Sequence, residues 1–229
     1  MFFPDRIKSI KPSDTVLEIG PGSTPHPRSD IYLEKVFTDK DEFRLQRGNT
    51  PELQSSKPVV FYEGEVFPFK DREFDYVICS HVLEHVPDAE IFLKEVVRVA
   101  ARGYLEFPTV YYDYVYNIPV HTLFLMHKHG KIYWMKKKES GLEQFSEIQY
   151  LFFESLLKEH YGIINSLKEY FIQGFEWIEN VECVKVSSVN DVCYDRSNVA
   201  IQKFAEVQKG IGLKKELSRK LNEFFLNKK

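Results

Sequence analysis

Residues 74–107 constrain the fold most. Phe74-Asp75-Tyr76-Val77-Ile78-Cys79-Ser80 is a short apolar run that ends in a switch to polar residues, and Arg102–Phe107 is a second run that stops at Pro108. Between them Pro87-Asp88 opens a stretch in which Ile91, Phe92, Glu95, Val96 and Val99 recur at helical spacing, four of them apolar. Strand, helix, strand in that order makes a parallel crossover, which requires a sheet with helices packed on its faces. Residues 14–19, 30–34 and 58–62 read as three further strands upstream. Downstream, 145–172 looks helical, with Phe145, Ile148, Leu151, Phe152, Leu156 and Leu157 on one side. Residues 175–188 and 197–204 read as a final strand pair, one member antiparallel, and 205–226 as a closing helix. The expected class is a doubly wound α/β fold with a mostly parallel sheet of about seven strands.

Composition narrows the function classes. The 229 residues carry 43% hydrophobic and 28% charged side chains, enough apolar material for a core and too much for wholesale disorder. A net charge of −3 argues against a chain that holds nucleic acid by charge alone. Cys79, Cys183 and Cys193 are too few and too scattered for a disulfide framework, so a reducing, cytoplasmic setting is the expectation. The run 107–127 contains Asp113, His121 and two prolines and is not read as a membrane span.

The first strand ends in Val16-Leu17-Glu18-Ile19-Gly20-Pro21-Gly22-Ser23-Thr24-Pro25. Glycines there allow positive φ and close approach of a ligand. A dinucleotide fingerprint would want a third glycine where Pro25 stands and a helix immediately after the turn. Here Pro27 pushes His26 out of the helical region. The E-x-G-x-G pattern instead resembles motif I of class I S-adenosylmethionine-dependent methyltransferases. Residues 74–88, with Val82-Leu83-Glu84-His85-Val86-Pro87-Asp88, are similar to the F-D-x-V-x-x-x-x-V-L-E-H-V-x-D signature of their type-11 branch. Glu63-Gly64-Glu65-Val66-Phe67-Pro68-Phe69 resembles the element that precedes it there. The resemblance covers about residues 13–108. One departure is the ten-residue connection from Gly20 to Ser29, which holds three prolines. Its usual helix is expected to shrink to a loop or one turn.

The resemblance implies a Rossmann-like fold, S-adenosylmethionine as cofactor, and a donor site built from Glu18, Gly20, Pro21, Gly22, Glu34, Glu63, Gly64, Ser80 and His81. Glu18 either touches the donor or braces the loop. The ribose carboxylate is Glu34 or Asp39, and Glu65 can exchange roles with Glu63. Residues 1–108 would be the donor-binding half, 109–174 a helical, aromatic lid over the acceptor, and 175–229 the last strands and a basic helix. Tyr104, Tyr111, Tyr112, Tyr114 and Tyr116 crowd the exit of the fifth strand, where they could stack on an acceptor. His81, Glu84 and His85 are spaced i, i+3, i+4 and would share a helix face. Their H-x-x-E-H is similar to the E-x-x-E-H metal motif of magnesium-dependent O-methyltransferases, but with His81 in place of the first acid no metal is expected. His121 in the lid and His81 are the candidate catalytic groups, His121 as proton acceptor. The expected reaction is in-line methyl transfer to an oxygen of a small-molecule or glycan-type acceptor. The alternatives are an RNA methyltransferase using the Lys128–Lys138 cluster and a non-catalytic donor-binding protein.

Overall fold

In the computed structural model, the described residues are 1–36, 53, 55–141 and 146–195, excepting the side chains of 146–148. Met1–Cys193 form one compact unit and Tyr194–Lys229 a second. The expected strand 197–204, the closing helix 205–226 and the alternative ribose acid Asp39 fall outside the described residues.

Five strands run parallel: β1 (Val16–Ile19), β2 (Ile31–Lys35), β3 (Val59–Tyr62), β4 (Tyr76–Ser80) and β5 (Arg102–Pro108). They match the apolar runs read from the sequence to within two residues at each end. β4 and β5 are joined by helix α1 (Ala89–Val99), whose Asp88 cap accepts from the backbone N–H of Glu90 and Ile91. β8 (Ile172–Ile178) pairs antiparallel with β5, giving the order β3-β2-β1-β4-β5-β8. These six strands form a mostly parallel sheet of the class expected. The order reverses between β1 and β4, and the crevice beyond the carboxyl ends of those strands is where α/β folds bind ligands. Gly103 is required where β4, β5 and β8 meet, because a Cβ there would stand 2.4 Å from the carbonyl oxygen of Val77 and 2.9 Å from Trp177.

No helix follows β1; residues 20–30 run as turns back to β2, as the three prolines dictate.

The segment 109–174 differs from the helical lid that the sequence suggests. It begins with helix α2 (Val110–Tyr116) and then forms a hairpin of β6 (Leu123–Lys128) and β7 (Lys131–Lys136). The hairpin turns at His129-Gly130, both at positive φ. Helices α3 (Ser146–Leu157) and α4 (Gly162–Phe171) follow. The expected strand 175–188 is two pieces in two sheets, because β9 (Glu182–Lys185) leaves the main sheet and pairs with β7. Leu123, Leu125, Ile132 and Trp134 of the hairpin share one core with β1, β4 and α1, so the hairpin belongs to the body of the fold. On α3 the expected stripe is divided: Phe152 and Leu156 pack inward, whereas Leu151 and Leu157 are exposed.

Candidate active site

A cavity of about 520 Å³ opens at the reversal between β1 and β4, within the usual range for small-ligand sites. Its wall comes from five stretches: the N-terminal Met1 and Phe2, the β1 turn, the end of β2, the end of β3 with the loop after it, and the β4–α1 connection with the start of α1. It includes Glu18, Gly20, Pro21, Gly22, Glu34, Gly64, Glu65, Ser80, His81 and His85. Every donor-site residue expected from the sequence is on this wall except Glu63. That side chain is exposed just past β3, and Glu65 takes the place on the wall.

Gly20 and Gly22 have φ of +61° and +62°. At Gly20 an added Cβ would meet a Val82 methyl at 2.6 Å, whereas above Gly22 there is open space. Glu18 braces the loop: its Oε2 accepts from the His26 N–H at 2.8 Å and the Ser29 hydroxyl at 2.6 Å. Burial raises its pKa, and those two bonds oppose the rise. Glu34 is a buried carboxylate at the carboxyl end of β2 and faces the same cavity.

After β4 the chain takes His81 at φ +58°, then a single helical turn at Leu83–His85. His81, Glu84 and His85 therefore do not share the face of a regular helix, yet the turn still gathers them. The Nδ1 of His81 is 3.2 Å from Glu84 Oε1, and its Nε2 is 3.2 Å from Glu106 Oε1. Burial alone would lower the His81 pKa, but the two carboxylates outweigh it and hold the imidazole protonated; both acids are correspondingly held ionised. A protonated His81 cannot take up a proton, so the geometry does not support it as a general base.

Glu106 was not read from the sequence. Its carboxylate accepts from the N–H groups of Phe2 (2.7 Å) and Phe3 (2.9 Å) and from the hydroxyls of Ser80 and Tyr104 (both 2.8 Å). The signal was an acid inside the otherwise apolar Tyr104–Phe107 run, where a charge is buried only with partners. Asp113 is a second buried acid of this kind: its Oδ2 lies 2.9 Å from His121 Nδ1.

His121 is buried behind the cavity and is not on its wall, which counts against its expected role as the acceptor's base. The tyrosines at the β5 exit also lie off the wall. Tyr104 and Tyr116 are fully buried, and among the described residues 109–174 contributes nothing to the cavity lining. Of the lysine cluster, Lys131 pairs with Glu182 at 2.7 Å, Lys137 donates to the Ile118 carbonyl at 2.8 Å, and Lys128 donates to the Cys193 carbonyl at 3.1 Å.

The strand order, the cavity at its reversal and the glycine turn are those of a Rossmann-like α/β fold, of the kind found in class I S-adenosylmethionine-dependent methyltransferases. The family described as "Methyltransferase domain" matches residues 38–107, and S-adenosylmethionine is the cofactor of that class. Among curated proteins the chain is similar to ajmaline N-methyltransferase of Rauvolfia serpentina, 32% identical over 76 residues, or 32% of this chain and 26% of the relative. It is likewise similar to methyltransferase str2 of Strobilurus tenacellus, 32% identical over 92 residues, or 38% of this chain and 32% of the relative. The matched region thus spans about a third or less of those relatives. Among solved structures, an S-adenosylmethionine-dependent methyltransferase from Mesorhizobium loti is 13% identical, with 55% of this chain and 57% of that one covered and a TM-score of 0.33. No helix among the described residues is long and apolar enough to cross a membrane.

Proposed function

We propose that the protein is a methyltransferase that moves the methyl group of S-adenosylmethionine to a small, neutral or cationic acceptor. The observation that carries this reading is the convergence of the open glycine turn and the buried Glu34 on one cavity at the sheet's reversal. Glu34 would accept hydrogen bonds from the donor's ribose hydroxyls, a charge-assisted contact. Gly20, Pro21 and Gly22 would let the backbone come close to the donor, and Gly64, Glu65, Ser80 and His81 would complete its enclosure. The donor supplies an activated methyl on a sulfonium. The chain's task is alignment, which can supply roughly 7–11 kcal/mol of barrier lowering.

The nature of the wall bears on the acceptor. Its four acids, Glu18, Glu34, Glu65 and Asp88, outnumber its cations Lys35 and protonated His81, a balance that disfavours a polyanion and suits an amine or an uncharged ring. The paired lysines and the net charge of −3 also weigh against RNA. His81 is held protonated, and both ring nitrogens of His85 face protein groups, Nδ1 the Val120 carbonyl and Nε2 Glu84. An amine acceptor in its free-base form attacks the methyl with its own lone pair and releases any N–H proton to solvent only after transfer, so nitrogen is favoured over the oxygen expected from the sequence. The similar ajmaline N-methyltransferase is named for N-methylation, which agrees. A hydroxyl acceptor is the second reading, favoured by the exposed carboxylate of Glu65 on the wall. The test is transfer of labelled methyl from the donor to matched amine and alcohol panels. Turnover on amines is expected; turnover confined to RNA, or none while the donor binds, would overturn the reading.

A further inference from the structure

We infer that Glu84, His85 and His121 form a binding site for a first-row divalent transition-metal ion. Glu84 Oε1 lies 3.9 Å from His85 Nε2 and 4.0 Å from His121 Nε2, and one ligand atom from each residue falls within 4.8 Å of the others. Ligands around a tetrahedral zinc sit about 2.0–2.2 Å from the ion, so shifts of roughly half an ångström would close the set.

Three further observations point to a cation. First, each imidazole is already oriented as a ligand. The Nδ1 of His121 faces the Asp113 carboxylate at 2.9 Å, and the Nδ1 of His85 faces the Val120 carbonyl at 3.1 Å. Both acceptors can hold a proton on Nδ1 and both turn Nε2 toward Glu84, which is how metal-ligating histidines are held. Second, the two Nε2 atoms converge on the same carboxylate oxygen at 3.9 and 4.0 Å, too far for a direct hydrogen bond to either. Third, Glu84 is fully buried, and neither of its oxygens has a hydrogen-bond partner among the described residues. The ion pair with His81 balances charge but does not meet hydrogen-bond geometry. A buried acceptor left in that state is costly without an ion or another group to satisfy it.

The donor set selects the metal. Two imidazole nitrogens and one carboxylate suit zinc, cobalt or iron, whereas magnesium prefers an oxygen shell. This inference departs from the metal-free site expected from the sequence. Of the three ligands only His85 is also on the cavity wall, so the ion would brace that wall from behind. It would tie the turn after β4 to the segment that leads into β6. The inference does not depend on methyl transfer, and its test needs no donor.

The full chain, stripped with chelator, is titrated with Co²⁺ while visible absorption is recorded; Zn²⁺ and Mg²⁺ are followed by calorimetry. The expected result is one equivalent of Co²⁺ bound with the d–d absorption of a low-coordinate site. Zn²⁺ should displace it, and a large excess of Mg²⁺ should not. His121→Ala should lower the Zn²⁺ affinity at least about a hundredfold, and Asp113→Asn about 10–100-fold through loss of ligand orientation. His85→Gln, at the cavity edge, serves as the ligand variant if His121→Ala fails to fold by circular dichroism. No saturable Co²⁺ or Zn²⁺ binding by folded wild-type protein would overturn the site. So would unchanged affinity in a folded His121→Ala or His85→Gln, or a preference for Mg²⁺.

Discussion

Glu34 sets the residue scale of the account. It is a carboxylate buried at the end of a strand, next to a ligand-sized cavity and in a fold that binds a ribose-bearing donor. A charge-assisted hydrogen bond contributes about 1.5–3 kcal/mol, part of which water offsets. Glu34→Ala is therefore expected to weaken binding of the demethylated donor product roughly tenfold or more, by calorimetry, with the fold intact. Unchanged affinity would move the ribose contact to another acid, Asp39 first. At this scale the sequence was legible wherever a motif and a strand end coincide: Glu18, Gly20, Gly22, Glu34, Ser80 and His81 all reach one cavity. Glu106 was not legible, because partners that make this buried acid tolerable come from far along the chain, and Asp113 was not because only the fold turns His121, eight residues on, back toward it. Glu106 takes N–H groups from Phe2 and Phe3, more than a hundred positions away. His121 was placed in the reaction zone by its neighbourhood in sequence, and the fold turns it toward Asp113 instead.

At the scale of elements, α1 and the loop before β4 are joined by a charge cluster. Arg98 donates to Glu95 at 2.7 Å, to the Phe67 carbonyl at 3.0 Å and to the Phe69 carbonyl at 2.8 Å; Glu95 also accepts from the Phe67 N–H at 2.8 Å. The Arg98 hydrogen bond is the main reason that the Glu95 pKa falls below its ordinary 4.5. A carboxyl whose pKa is depressed by folding contributes stability that is present above its unfolded pKa and is lost as pH falls through the folded value. Glu95→Gln should thus cost about 1–2 kcal/mol near neutral pH, and the gap to wild type should narrow below about pH 4.5. Denaturant unfolding at several pH values measures this, and a constant gap would contradict it. The parallel strands and α1 were readable because two-sided burial gives continuous apolar runs and a one-sided helix gives a stripe. The β6–β7 hairpin was not, because Leu123–Met126 is buried throughout and shows no alternation, while Lys128 and Lys131 flanking the turn read as a charge run. Gly130, after His129 at positive φ, was the turn signal available.

For the whole molecule, the parts agree on one ligand crevice: the parallel sheet reverses there, the proline-rich first connection lines it, and the Lys128–Lys138 cluster lies elsewhere. This crevice is the proposed site of S-adenosylmethionine. Calorimetric titration of S-adenosylhomocysteine into the wild-type chain and into Gly20→Val tests it most directly. Valine at φ +61° costs about 1–3 kcal/mol of backbone strain and pushes against Val82, so thermal unfolding must show the variant folded; Gly22→Val, with open space above it, is the companion if it is not. The account predicts saturable one-to-one binding by wild type that is lost in the folded variant. No binding by the wild-type chain, or undiminished binding by the folded variant, would contradict it.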